Sequence, residues 1–575
     1  MPETSAQRAL AVSLSARSDA DLALLFAERR ISPSGTWRDM FDAAAALLDP
    51  ASVARGLPSL GRDDAVALLA AAEGRAVTGA VRERLASRAL VADDGVPFPT
   101  VVEVAREILP SGIPDAMPPR RTEATPESTG AASEAVFTNA ASVADILLQT
   151  LEAPLGRIGS GSLGAAERRR LVDAGAVTTA AEADLLVGLA AEVGLLGTND
   201  RAWLVSPAGR DWLRLPTLER WQRTAEALRD ALPRAYRSAE GGWIPAEQWP
   251  HATPFDPEGP DRAALWTKRL VRWGLLDAAG HVTPWSRPLA EGGDVDTSAL
   301  RELLPPEVDR VYLQNDLTAI APGPLAPHLD VRLRSMAARE SRAQASSYRF
   351  SAATIGAAIT AGETADTLRE FLASISLTGL PQPLAYVIER TAAEHGRVRV
   401  MADSESHLTR VRTDDETLLR SMEVDQSLRS IALTRDDDEL VSHVSADVVF
   451  WALTDAHYPA IAVDAQGRPR ALERAKLSGP QEPADDPADV YAGLLERLRT
   501  GAEDSDAAWL ERELDQAVRA RSVIDVTVRL PDGSARVFRL EATGLGGGRL
   551  RGRDRGADVE RTLPLSHIDG VAPVE

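Results

Sequence analysis

Apolar residues recur every three to four positions along most of this chain, the spacing of amphipathic helices. Leu22, Leu24 and Leu25 mark one helix over 19–29, and Trp37, Met40 and Phe41 anchor another over 36–48. Further helices are predicted over 65–73, 81–90 and 105–109, with a turn at Asp93-Asp94-Gly95 and a short strand ending Pro97-Phe98-Pro99-Thr100. Residues 1–116 therefore read as a helical, winged-helix-like domain. Residues 117–139 hold Pro118, Pro119, Pro126, Ser128, Thr129 and Gly130 with almost no large apolar side chain, which predicts a linker.

A second pattern occupies 140–300. It runs helix 143–151, strand 155–158, helices 165–174 and 180–193, then Gly194-Leu195-Leu196, a turn over 197–200 and a strand over 202–205. This is the element order of a winged helix. Its closing corner recurs: helix 265–273, Gly274-Leu275-Leu276, a turn at Ala278-Ala279-Gly280, strand 281–283 and Pro284. Fainter copies stand at Ala89-Leu90-Val91 and His395-Gly396-Arg397-Val398. Such self-similarity predicts tandem winged-helix-like units.

Residues 301–400 begin with alternating β-formers over 311–322, which predict a strand, followed by a helix over 333–343. Ser351 and Thr364 suit the N-caps of two apolar helices, Gly362 the stop of the first, and 384–395 a last helix. Gln314, Asp316, Leu317 and Thr318, then Glu340-Ser341, Tyr348-Arg349-Phe350-Ser351 and Thr378-Gly379-Leu380-Pro381 carry a family likeness. On these residues the segment resembles the helicase-associated domain of actinobacterial proteins, which is similar to the N-terminal region of XPB-type DNA-repair helicases. The resemblance implies a place in DNA repair or transcription.

Residues 401–477 read as a mixed α/β segment, with strands at 409–412, 430–433 and 460–463 and a helix over 446–453. Residues 478–487 form an acidic, Pro-rich linker. The last unit, 488–575, opens with helices over 490–498 and 506–518. It continues as β-structure: Ile524, Val526 and Val528 alternate with polar residues, and Pro531-Asp532-Gly533-Ser534 turns a hairpin. The glycine run Gly544, Gly546, Gly547 and Gly548 and Arg561-Thr562-Leu563 resemble the small barrel of WYL domains, although Arg549-Leu550-Arg551 replaces the Trp-Tyr-Leu run. The expected fold class is α+β multidomain: tandem winged-helix-like units, a mixed α/β segment and a small C-terminal β-barrel.

Charge narrows the possible chemistry. The 575 residues carry a formal net charge of −21 and no cysteine. Bulk electrostatics repel a phosphate backbone, so nucleic-acid contact needs a local basic face. Disulfides and thiolate chemistry are excluded. There is no apolar signal segment over 1–19 and no membrane-length apolar run, which predicts a cytoplasmic protein.

The two lysines, Lys268 and Lys476, lie outside any Gly-Lys-Ser/Thr, so no phosphate-cradling P-loop exists and no ATPase or helicase activity is expected. Gly159-Ser160-Gly161-Ser162-Leu163-Gly164 has dinucleotide-fingerprint spacing, but not inside a βαβ unit. No cofactor is expected. The eight histidines show no ligand spacing, and the runs 414–416 and 436–439 read as solvated loop or helix-start charges. No catalytic or metal site is expected.

Two basic groups suit DNA. Arg262, Lys268, Arg269 and Arg272 lie on the helix 261–273, and Arg549, Arg551, Arg553 and Arg555 alternate on a strand. The helix 180–193, in the recognition slot of the second unit, instead carries Glu182, Asp184 and Glu192 with no Lys or Arg, which suits protein docking. Two functions follow. One is a non-catalytic DNA-associated accessory protein beside a helicase or another repair or transcription protein. The other is an interaction scaffold or transcriptional regulator that never touches DNA.

Overall fold

The computed structural model describes residues 3–573, apart from 114–123, 160, 200, 343–345, 404–405, 469, 471, 473–476, 480–484, 501–509, 511–512, 516, 520 and 531–533. The fold is mixed α+β and multidomain, and the described residues form five hydrophobic cores.

Seven helices, from Glu3–Ser15 to Pro99–Ile108, make the first core. A later element completes it. The helix Pro487–Thr500 inserts Tyr491, Leu494, Leu495 and Leu498, and the Tyr491 hydroxyl donates to the Ile31 carbonyl at 2.7 Å. The sequence grouped this helix with the C-terminal sheet. Its apolar stripe instead packs on Asp19–Glu28, where the Tyr491 ring meets Phe26 edge-on at 5.8 Å.

The expected linker is corrected too. Residues 117–123 lie outside the described residues, but Pro126–Glu152 is one 27-residue helix. Thr125 caps it and Pro126 occupies its first turn, where a missing N–H costs nothing. The small residues that suggested a linker are close-packing residues. A Cβ on Gly274 would meet Val136 Cγ2 at 2.4 Å and the Ala132 carbonyl oxygen at 2.9 Å.

That long helix crosses the second core, where Trp221, Trp243, Trp249, Trp273 and Trp285 are fully buried. Trp221 and Trp273 each donate an indole N–H to the other's carbonyl, at 2.8 and 3.0 Å. The helices Ala165–Asp173 and Ala180–Glu192 precede a three-stranded sheet ordered Leu155–Gly156, Ala202–Val205, Leu196–Thr198. The repeated corner is real at the backbone level. Ala89, Gly194 and Gly274 all take positive φ after a helix. The chain then returns with Phe98 N–H to Leu90, Ser206 N–H to Leu195 and Thr283 N–H to Leu275.

The third core lies under a sheet ordered Tyr312–Leu313, Thr318–Ala321, Ser346–Arg349, Ala338–Arg342. The predicted opening strand is a hairpin that turns at Leu317, φ +65°. The helix expected over 333–343 is Pro327–Arg334, and Ala338–Arg342 is a strand. Pro327 starts the helix early, and cross-strand pairing wins the polar half. Ser351 and Thr364 cap their helices as expected, each with a reciprocal bond from the third residue.

The fourth core sits beneath a five-stranded sheet in the order Thr434–Asp436, Glu439–Ser442, Thr409–Thr413, Val398–Ala402, Ala460–Val463. The strand expected over 430–433 is displaced. Ile431 ends a 3-10 turn, Ala432 is left-handed, and pairing starts at Thr434.

The C-terminal sheet is antiparallel, ordered Val559–Pro564, Arg549–Asp554, Ala535–Gly546, Val523–Arg529, Ile568–Pro573. The hairpin turn expected at 531–534 lies mostly outside the described residues. Pro564 and Ile568 belong to opposite edges yet are four residues apart, so the edges approach within about 14 Å there. No ladder pairs those edges among the described residues, so the expected barrel is an open, curled sheet.

Candidate nucleic-acid interface

On the strand Arg549–Asp554, Leu550, Gly552 and Asp554 are buried while Arg549, Arg551 and Arg553 are exposed. The two-residue period puts the guanidiniums on the outer face, and Arg555 follows just beyond the strand. Their surroundings differ. Arg553 donates to Asp558 at 2.8 Å, a bond that holds its guanidinium above its ordinary range. Arg555 pairs with Glu541 at 2.6 Å.

Arg549 and Arg551 have no ion-pair partner among the described residues. Their cross-strand neighbours are uncharged: Gly546 and Pro564 flank Arg549, and Gly544 and Thr562 flank Arg551. A Cβ built on Gly544 or Gly546 would meet nothing within 4 Å, so the space over this part of the sheet is open. Gly547 and Gly548, with φ of +57° and +70°, form the turn that starts the strand.

Beneath the strand, Arg561 donates to Asp554 at 2.6 Å and stacks over the Phe538 ring at 4.8 Å. That hydrogen bond, with backbone amides of Gly556 and Ala557, holds the Asp554 carboxyl below its usual range. Asp554 is thus a fixed anchor of the inner face and takes no charge from Arg549 or Arg551.

The helix Gly259–Arg272 is a different case. Arg262 pairs with Asp256 at 2.7 Å. Arg269 is buried, pairs with Glu192 at 2.9 Å and lies over the Trp266 ring. Arg272 lies 3.5 Å from Glu182, which also accepts from the Thr178 backbone and hydroxyl. Lys268 is exposed with no ion pair among the described residues, on a surface groove shared with Glu182 and Asp184. The basic helix therefore packs against the acidic helix Ala180–Glu192. Burial removes Arg269 from the candidate contacts, and pairing weakens Arg262 and Arg272.

The other expected motifs are also accounted for. Gly161 (φ +84°) lies in a turn closed by the Arg157–Leu163 bridge, and Asp184 pairs with Arg168 at 2.8 Å. Asp415 caps a helix. Glu439 is buried and accepts from Arg410 and Arg412. No helix among the described residues is long and apolar enough to cross a membrane.

A second charged constellation was missed in the sequence. Asp145, on the long helix, is buried and accepts from both Arg334 and Arg339 across the boundary to the third core. Tyr348 donates to Asp330 at 2.6 Å beside them. The signal was present: an aspartate between Ala144 and Ile146 on a stripe that buries its neighbours.

A family model described as the helicase conserved C-terminal domain matches residues 311–437. This segment is helicase-related. The match covers under a quarter of the chain and spans both the third core and most of the fourth sheet. No curated protein matches the chain.

Proposed function

We propose that this chain is a nucleic-acid-associated accessory protein, without a motor of its own, that works in the cytoplasm beside a helicase in DNA repair or transcription. Arg549 and Arg551 carry the proposal: two exposed guanidiniums without carboxylate partners among the described residues, on one side of one strand, beside open glycine backbone. In a chain of −21 charge, such sites offer phosphate contact without first breaking an ion pair.

The helicase-related segment supports the setting. The likeness to XPB-type N-terminal regions, the winged-helix element order and the WYL-like glycine run agree with it. The lack of Gly-Lys-Ser/Thr supports the absence of a motor. One observation favours the scaffold alternative: the basic helix Gly259–Arg272 spends its arginines on internal carboxylates.

The test is fluorescence anisotropy with a labelled single strand and a labelled duplex at several salt concentrations. Binding by the wild type and its loss in Arg549→Gln with Arg551→Gln are expected. No wild-type binding at low salt would favour the scaffold. Purified protein should release no phosphate from ATP, with or without DNA. Release that persists across preparations would overturn the motorless role.

A further inference from the structure

A cleft of about 590 Å³ opens between the second core and the helicase-related segment, within the size range of small-molecule sites. One wall is the long helix with Ala141 and Asp145, together with Thr217 and Arg220 of the helix Thr217–Ala231. The other wall carries prolines, among them Pro305, Pro322 and Pro324, and the Tyr348 ring. The proline rings and the face of the aromatic ring offer flat apolar surface, and Asp330, Arg339 and Ser346 add polar groups to the lining.

Arg220 is the unusual residue. It is 6% exposed and lines the cleft. Its Nε donates to the Trp212 carbonyl at 3.1 Å, Nη2 donates to Leu213, and the guanidinium lies over the Trp212 ring. Nη1 bonds to nothing among the described residues, and no carboxylate lies within ion-pair distance. Three carboxylates stand near enough to act on it electrostatically, Asp330, Glu307 and Asp145. Each has other partners: Asp145 holds Arg334 and Arg339, Asp330 accepts from Tyr348, and Glu307 accepts from the Thr217 amide. Burial pushes the Arg220 guanidinium down to about 10, still charged at neutral pH. Three arginines, Arg220, Arg334 and Arg339, thus stand among three carboxylates, and Arg220 is the one that makes no direct ion pair among the described residues, which leaves a buried charged donor unused.

We infer that this cleft binds a small organic anion, with its phosphate or carboxylate group on Arg220 Nη1 and its apolar body against the proline wall. The guanidinium is held by two carbonyls and a tryptophan face, so it is oriented before the ligand arrives. Because the walls belong to different cores, the ligand would tie the second unit to the helicase-related segment.

The full-length protein is titrated by calorimetry with AMP, adenosine, benzoate and inorganic phosphate. AMP or benzoate should bind at one site, and adenosine, which lacks the oxyanion, should not. Benzoate without AMP would identify a carboxylate ligand, and AMP without benzoate a phosphate ligand. Arg220→Gln should weaken binding about tenfold or more, the loss of one charge-assisted hydrogen bond. Ala141 is half-buried on the cleft wall, so Ala141→Trp adds bulk to the cleft while leaving Arg220 in place and should abolish binding. If Arg220→Gln does not fold, Ala141→Trp decides alone. Adenosine binding as tightly as AMP, unchanged affinity in Ala141→Trp, or no heat from any oxyanion at millimolar concentration would each overturn the site.

Discussion

Neutralising Arg549 and Arg551 together should remove a countable part of the salt dependence of DNA binding. Each arginine that replaces condensed counterions contributes about 0.9 to the slope of log affinity against log salt on duplex DNA, and about 0.7 on a single strand. The two residues have no carboxylate partner to give up among the described residues, so both can contribute in full. Arg549→Gln with Arg551→Gln should therefore flatten the slope by about 1.8 units on a duplex and about 1.4 on a single strand. Between 50 and 200 mM salt, their duplex contribution alone corresponds to a loss of about twelvefold in affinity.

The matched control is Arg553→Gln with Arg555→Gln. Those arginines are paired at 2.8 and 2.6 Å, and moving onto phosphate would strand Asp558 and Glu541. Their slope change should be less than about half as large. The measurement is an anisotropy titration at four or more salt concentrations. Glutamine keeps polarity and removes only charge, so the sheet should stay folded. Equal slopes for wild type and Arg549→Gln/Arg551→Gln would refute the argument. A larger effect from the paired arginines would show that ion pairing in the free protein does not decide which side chains reach phosphate.

Asp145→Ala should destabilise the junction by about 3 kcal/mol, because it removes the buried carboxylate that Arg334 and Arg339 share and leaves Arg334 only a longer contact with Asp330 at 3.7 Å; urea unfolding would read this, and a change below about 1 kcal/mol would show that the pair is dispensable. Leu494→Ala should cost about 2–5 kcal/mol in the first core, although Leu494 lies nearly 400 positions beyond it in sequence; an unchanged melting profile would detach the helix Pro487–Thr500 from that core. Glu439 should contribute to acid lability. Burial raises its pKa, but the Arg412 and Arg410 bonds outweigh burial and hold it below the ordinary 4.5. As pH falls, the unfolded chain takes the proton first, so this stability is intact above about 4.5 and is lost on titration below it. Glu439→Gln should flatten the acid limb of a stability–pH curve, and an identical limb would show that the site does not contribute.

Local signals in the sequence located much of the fold. Ser351 and Thr364 cap because a hydroxyl beside an apolar periodic run meets the first free amides, whatever surrounds it. The alternation over 549–554 put its arginines on one face because a strand's period is two. Where distant partners compete, local pattern failed. The residues 126–139 looked like a linker because their side chains are small, and they are small because Gly274 packs against them. Whether the C-terminal sheet closes depends on the reach of Leu565–His567 and the pairing of its edges, which no single strand encodes.

The candidate site divides the same way. Composition and spacing alone determined the local arginine clusters and the absence of a P-loop in this chain, since both are properties of adjacent residues. Tertiary structure decided which charges remain available. Arg269 and Glu192 looked like a DNA contact and a protein-docking acid, 77 positions apart, and they are partners in one ion pair. Arg549 and Arg551 find no ion-pair partner among the described residues because their cross-strand neighbours are glycine, proline and threonine. Nothing in the local sequence marks Arg220, and packing alone buries it with its guanidinium on backbone carbonyls and the Trp212 ring. A side chain's charge is written in its own position, but its availability is set by whatever the rest of the chain brings within 4 Å.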